Sequence, residues 1–187
     1  MLPPLVADVE TRLRARAERE RNHVVHSGTK SAVLIPIDLR AGEPRLWLLR
    51  KRDDLRKHGG QVALPGGKHE PADATLADTA LREAEEEIGL SRGAVTLVGE
   101  TSAFPTITGF LVTPFVAWVH GDFSPVPDPA EVARIFSVPL SLLAEPATVR
   151  EIVVPGWRGE VPCHEVDGEI IWGATFMILQ DFARMME

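Results

Sequence analysis

Four glutamates crowd into five positions of this chain: Glu83, Glu85, Glu86 and Glu87, within Gly66 to Leu90, GGKHEPADATLADTALREAEEEIGL. Ala77, Leu81, Ala84 and Ile88 keep helical spacing through the same stretch, so it is predicted to be a helix with a buried apolar stripe. Thr75 can cap its start, with Asp78 three residues on as an approximate capping box, and Gly89 can stop it. On that helix Glu83, Glu86 and Glu87 share a face, while Glu85 points elsewhere. Like charges at this spacing repel, so the cluster weakens the helix unless a cation neutralises it. Carboxylate oxygens suit hard ions such as Mg²⁺ or Mn²⁺. The small Ala80 and Ala84 let the opposite side pack closely on a sheet. The reading is a metal site on a sheet-packed helix, to which the rest of the fold presents a phosphate ester.

The flanking segments supply that sheet. Ser31–Asp38 is an apolar run of strand length, and its Pro36 points to an edge strand or a bulge. Arg45–Arg50 is a second strand, KRDDLRKHGGQ a polar loop, and Val62–Leu64 a very short strand halted at Pro65. Ala94–Glu100 alternates as a strand, and Phe110–Val119 is a long apolar strand interrupted by Pro114. The Pro- and Asp-rich GDFSPVPDPAEVA is a loop carrying Glu131. Arg134–Val138 is a strand and Pro139–Ala144 a helical turn. Val149–Val154 and Val161–Val166 form a hairpin around PGWRGE, and Ile171–Met186 is a terminal helix with Ile171, Ala174, Ile178, Phe182 and Met185 on its apolar side. Residues 1–25 read as a helical arm: Leu5, Val9 and Leu13 make a narrow stripe among Arg12, Arg14, Arg16, Arg19 and Arg21. Such an arm docks on the body, joins an oligomer contact or flanks the substrate. Residues 26–187 then form one domain, with interleaved strands and helices of the mixed α/β (α+β) class.

A net charge of −7 argues against a broad nucleic-acid footprint or an anionic membrane surface. It does not exclude a small anionic substrate, because a bound metal inverts the local field. No apolar run approaches the ~20 residues of a membrane span. The single Cys163 rules out an internal disulfide, and with no signal-like apolar segment at the start a cytoplasmic protein is expected.

The stretch Gly67–Leu90 resembles the Nudix box, G-x5-E-x7-R-E-U-x-E-E-x-G-U, where U is a bulky aliphatic. Arg82-Glu83-Ala84-Glu85-Glu86-Glu87-Ile88-Gly89-Leu90 matches nearly in full, with Ala84 small for U. The first half runs one residue longer, and Asp73 stands at its acidic position. Leu48–Gly67, LLRKRDDLRKHGGQVALPGG, is similar to the extended motif of the coenzyme A pyrophosphatase branch, in which the longer box is habitual. Thr108-Gly109-Phe110 with Val112-Thr113-Pro114, Glu131-Val132 with Val138-Pro139-Leu140, and Ile171-Trp172-Gly173-Ala174-Thr175 are similar to pieces of the same branch.

This resemblance implies a Nudix-type α/β/α sandwich around a mixed β-sheet. It implies metal-dependent hydrolysis of coenzyme A or acyl-coenzyme A to adenosine 3′,5′-bisphosphate and (acyl-)4′-phosphopantetheine. The rival activities are hydrolysis of another nucleoside diphosphate derivative, such as ADP-ribose, and a Nudix-fold binding module without turnover. Water attack on a pyrophosphate depends on positioning and on neutralising phosphoryl charge, which Mg²⁺ or Mn²⁺ supplies. Glu83, Glu87 and Glu86 are the expected metal ligands, with the Gly67 carbonyl completing the shell. Arg82 orients a carboxylate. The general base stays open between Glu86 and Glu131. Arg52, Arg56 and His58, with Lys51, form a basic rim that suits the phosphates of coenzyme A. Among relatives of this kind a homodimer is common, and one is expected here.

Overall fold

The structure, a computed structural model, describes residues 4–20, 28–40, 42–121 and 123–187; the side chains of residues 4–7 and 17–20 are outside that description. In chain order the elements are α1 (Pro4–Glu20), β1 (Thr29–Asp38), β2 (Arg45–Lys51), β3 (Val62–Ala63), β4 (Gly66–Lys68) and α2 (Leu76–Ile88). There follow β5 (Val95–Glu100), β6 (Phe104–Pro105), β7 (Phe110–Val119), β8 (Val132–Pro139), β9 (Thr148–Val154), β10 (Trp157–Val166), β11 (Glu169–Ile171) and α3 (Gly173–Met186). Short 3-10 turns occupy Arg92–Ala94 and Leu140–Ala144.

An eight-stranded sheet runs β3-β2-β1-β7-β5, with β4 on β1, β6 on β7 and β8 on β2. Parallel pairing of β1 and β7 amid antiparallel neighbours makes it mixed. Both central strands are apolar on both faces because both faces are covered. Ile35, Ile37, Val116 and Trp118 join α1 and α3 in one core, through Val9, Leu13, Phe176, Leu179 and Phe182. Ala32, Leu34, Phe115, Ala117 and Val119 join the Ala80, Leu81, Ala84 and Ile88 stripe of α2 in the other. The layering is the expected α/β/α sandwich. Strands β9, β10 and β11 form a separate three-stranded sheet.

The acidic helix keeps its expected ends. Thr75 accepts a 3.1 Å bond from the Asp78 amide, and Gly89 takes φ 71°, a backbone open to glycine. Its amide and that of Leu90 close onto Glu85 and Ala84, both at 3.1 Å, while Leu90 buries itself completely. Ala77 is only half-buried, and Thr79 and Glu87 are buried in addition to the predicted stripe.

Three sequence expectations are corrected. Pro36 does not mark an edge or a bulge: β1 lies between β7 and the pair β2 and β4, with Pro36 opposite Ala117. The Leu34 amide points away from β7 to Pro65 at 2.8 Å, so by alternation Pro36 faces that side too. There it meets the gap between β4, which ends its pairing at Val33, and β2, which begins at Ile37. The ladder loses no bond for want of its N–H. Pro114 likewise does not interrupt β7, and it pairs with Val33. Its carbonyl accepts from Thr101 at 2.9 Å where β5 gives way to β6. Ile171 belongs to β11, opposite His164, and α3 begins at Gly173 with φ 62°.

Within the arm, Val9 and Leu13 are buried as the stripe requires, and Leu13 packs 3.3 Å from the position a Gly99 Cβ would take. Arg12 donates to the Met185 carbonyl at 3.0 Å and Arg16 to Asp181 at 3.0 Å, tying α1 to α3. Leu5, Arg19 and Arg21 lie outside the described side chains. No helix among the described residues is long and apolar enough to cross a membrane.

Candidate active site

The two glycines before α2 sit at close approaches, to the backbone at Gly66 and to a flexible carboxylate at Gly67. A Cβ on Gly66 would stand 2.6 Å from Val33 Cα in β1, and one on Gly67 would stand 2.5 Å from Glu83 Cδ. Backbone, helix and carboxylate are thus pressed together where β4 turns toward the acidic face of α2. Gly67 itself lies in the β4–β1 ladder opposite Ala32.

Glu87 is the most buried carboxylate of the helix, 4% exposed. Its Oε2 accepts from the Gly66 amide at 2.9 Å, and its Oε1 accepts from the Lys51 ammonium. Burial pushes this carboxyl up to about 7, against the pull of Lys51 and the Gly66 amide. Glu83 is also lifted by burial, and Arg82 opposes the shift. Glu86 stands at the rim and accepts from Arg82 Nη1 at 2.9 Å. Glu85 is exposed and points away, as the helical spacing predicts.

Arg82 is the hub of this face. Nε and Nη2 grip the Asp73 carboxylate at 3.0 and 3.2 Å, and Nη2 lies 3.0 Å from Glu83 Oε1 and 3.3 Å from the Lys68 carbonyl. A planar guanidinium can hold several acceptors at fixed angles, which is what orienting carboxylates needs. Asp73 is buried and also accepts from the Thr79 hydroxyl at 2.9 Å and the Glu70 amide at 3.1 Å. These bonds, Arg82 foremost, hold its carboxyl well below the usual carboxylate range. The aspartate at the lengthened half of the box is therefore the partner of Arg82.

Glu131 reaches this centre from the Pro-rich loop: its Oε2 lies 2.7 Å from Lys51 Nζ, on the ammonium that also holds Glu87. Lys51 is 14% exposed; burial pulls its ammonium down, and Glu87 and Glu131 more than reverse that. Composition placed Lys51 on the basic rim. The structure sets it between two carboxylates instead, because strand alternation puts Lys51 on the same face of β2 as Leu49, the face that packs against α2.

The remaining rim residues separate into two kinds. Arg52 is engaged within the protein: it grips Asp54 at 2.9 and 2.7 Å, donates to the Pro129 carbonyl at 2.8 Å, and its amide bonds the Glu131 carbonyl at 2.9 Å. It fixes the Glu131 loop to the loop before the box. His58 has φ 59° and pairs its Nδ1 with Gln61 Oε1 at 3.0 Å, which shapes the same loop. Arg56 is exposed and makes no hydrogen bond or ion pair with a described residue.

The donor set fits a divalent cation in its chemistry. Glu83, Glu86, Glu87 and Glu131 present hard oxygen donors, while Lys51 and Arg82 are the cations in direct contact with them. The Gly67 cradle leaves the Glu83 carboxylate room against the backbone. The carboxylates do not yet converge: among the described residues no group of three or more His, Cys, Asp or Glu gathers around one metal-sized position.

Comparison with known proteins shows the family and the fold. The NUDIX domain family matches residues 28–154. A Yersinia enterocolitica protein named as an uncharacterized Nudix hydrolase, NudL, is 40% identical over 158 residues, covering 83% of this chain and 80% of that protein. Its namesake from Yersinia pestis strain Pestoides F is 37% identical over 159 residues, covering 84% and 79%. Among solved structures, the MutT protein of Methanosarcina mazei Go1 superposes with a TM-score of 0.55 at 21% identity, covering 87% of this chain and 96% of that one. A Caenorhabditis elegans Ap4A hydrolase binary complex gives 0.52 at 18% identity, covering 59% and 80%. At these identities the two structures speak to the fold. The matched domain and the relatives' identity establish that this chain belongs to the Nudix family of hydrolases.

Proposed function

We propose that this Nudix hydrolase cleaves the pyrophosphate of coenzyme A or acyl-coenzyme A. The products are adenosine 3′,5′-bisphosphate and 4′-phosphopantetheine or its acyl form. The observation that carries the reading is the loop written RKRDDLRKHGGQ. It delivers Lys51 to the acidic face of α2 and carries, five residues on, an exposed Arg56 that bonds no described residue. A guanidinium on the loop that follows Lys51 suits a second phosphate on the same substrate, and coenzyme A carries one on its 3′ oxygen.

Glu83, Glu87 and Glu86 would hold Mg²⁺ or Mn²⁺, with the Gly67 carbonyl at the edge of the shell. A divalent cation bound there supplies the positive charge that phosphoryl transfer requires over the phosphate oxygens. Arg82 keeps Glu83 and Glu86 oriented through its grip on Asp73. Glu86 or Glu131 takes the proton of the attacking water; both carboxylates reach solvent at the rim. Residues 26–187 make the catalytic domain, and residues 1–25 are its N-terminal helical arm. We place the protein in the cytoplasm and expect a homodimer.

Rates with coenzyme A, dephospho-coenzyme A and ADP-ribose under Mg²⁺ or Mn²⁺ test the reading. It expects the first to exceed the other two. Intact coenzyme A beside cleaved ADP-ribose would overturn the branch assignment and leave the family intact.

A further inference from the structure

Lys51 occupies a position that a rim cation has no reason to hold. Its side chain is mostly buried, and its ammonium bridges one carboxylate from the helix and one from the Pro-rich loop. The backbone on either side is pinned. The Lys51 amide bonds the Gln61 carbonyl and the Arg52 amide bonds the Glu131 carbonyl, each at 2.9 Å. Lys51 therefore cannot drift away as a unit; only its side chain can swing. Glu87, its partner on α2, has both oxygens engaged, Oε1 by Lys51 and Oε2 by the Gly66 amide.

A divalent cation coordinated by Glu87 would stand within ~4 Å of the ammonium, where like charges repel strongly in a partly buried site. The two cations compete for one carboxylate oxygen. We propose that Lys51 is a built-in counter-ion that divalent metal must displace from Glu87, so that this lysine sets the metal affinity of the free enzyme. The inference rests on the reading that Glu83 and Glu87 take that metal.

The consequence is a coupling between metal loading and the Glu131 loop. In the metal-free protein Lys51 ties residues 87 and 131 together. Metal loading breaks the tie at Glu87, and the ammonium leaves with Glu131, whose side chain is half exposed. Lys51 is thus a positioning residue, acting through Glu87 and Glu131. A lysine with only a structural role would change stability and leave metal affinity alone.

Two measurements test this without substrate. The first is Mg²⁺ binding by calorimetry at about pH 8.5, where the carboxylates are ionised. Lys51→Met is expected to bind Mg²⁺ about tenfold more tightly than the unaltered protein, because the competing cation is gone. Lys51→Arg, which keeps the charge, is expected to stay near the parent value. Unchanged or weaker binding by a folded Lys51→Met variant overturns the proposal. The second uses the unaltered protein, so it decides alone if that variant fails to fold. Amine-reactive labelling of Lys51, read by peptide mass spectrometry, is expected to rise several-fold when Mg²⁺ is added. Equal labelling with and without Mg²⁺ overturns the displacement. Absence of any Mg²⁺ binding by the unaltered protein removes the metal-site reading together with this one. Tight Mg²⁺ binding that Lys51→Met does not alter removes this one only.

Discussion

Replacing Asp73 by Asn tests how the acidic face is held. The buried carboxylate accepts two bonds from Arg82, one from the Thr79 hydroxyl and one from the Glu70 amide. Asn keeps the shape but loses the charge and offers only one oxygen. Its NH₂ group would then face a donor, Arg82 or Thr79, where an acceptor stood. Losing charge-assisted bonds at a buried site costs about 2–4 kcal/mol. At roughly 2 cal/mol/K per residue, a chain of 187 residues has an unfolding entropy near ~0.4 kcal/mol/K, so Tm should fall by about 5–10 °C. Arg82 would also hold Glu83 and Glu86 less firmly, and kcat should fall by about tenfold while the Kd for Mg²⁺ changes little. Calorimetric melts and metal titration read both effects. The reasoning fails if Tm stays within about 1 °C of the parent. A large loss of Mg²⁺ affinity at unchanged Tm would instead make Asp73 a metal ligand. The pH dependence has a defined direction. Asp73 ionises more readily in the folded state, so its contribution is intact at neutral pH and is lost on acidification below the unfolded carboxyl's 3.8.

Glu87 has the opposite sign: burial raises its carboxyl from 4.5 to about 7, so the metal-free fold should lose stability as pH rises through that window. Thermal melts from pH 5 to 8.5 should show the decline in metal-free protein, and Glu87→Gln should flatten it; an identical slope in the variant would contradict the assignment. Gly67→Ala places a methyl 2.5 Å from Glu83 Cδ and should lower kcat on the order of 10²-fold by displacing that carboxylate. A steady-state assay giving parental kcat would refute the cradle. Arg56→Ala should raise KM for coenzyme A about tenfold and leave dephospho-coenzyme A unchanged. Equal effects on both substrates would place Arg56 elsewhere than on the 3′-phosphate.

The parts of this protein that a sequence shows plainly are those governed by local spacing. Helical periodicity alone separated Glu85 from Glu83, Glu86 and Glu87, and cap chemistry fixed Thr75 and Gly89. The two strand prolines were misjudged because tolerance of Pro36 and Pro114 depends on where other strands begin and end. Pro36 is harmless because β4 and β2 leave a gap opposite it, which is information carried by residues far along the chain. Ile171 kept helical spacing with Ala174 and Ile178, yet belongs to β11 because it pairs with His164 and the helix does not begin until Gly173. In the site, counting residues found Asp73 at the lengthened half of the box. Its role needed the folded loop that brings it onto Arg82, nine positions away. Lys51 was visible as a charge and invisible as a bridge, since the two carboxylates it meets come from a helix 36 residues and a loop 80 residues further along the chain. The side chains of Arg52 and His58 bond back into the loop, which leaves Arg56 as the one of these three with no bond to a described residue.

Whether this protein is a metal-dependent coenzyme A hydrolase is decided by product analysis after incubation with coenzyme A, with Mg²⁺ and with a chelator. Adenosine 3′,5′-bisphosphate and 4′-phosphopantetheine are expected in equal amounts with Mg²⁺, and neither with the chelator. Coenzyme A left intact under both Mg²⁺ and Mn²⁺, or cleaved equally well in chelator, would contradict that expectation.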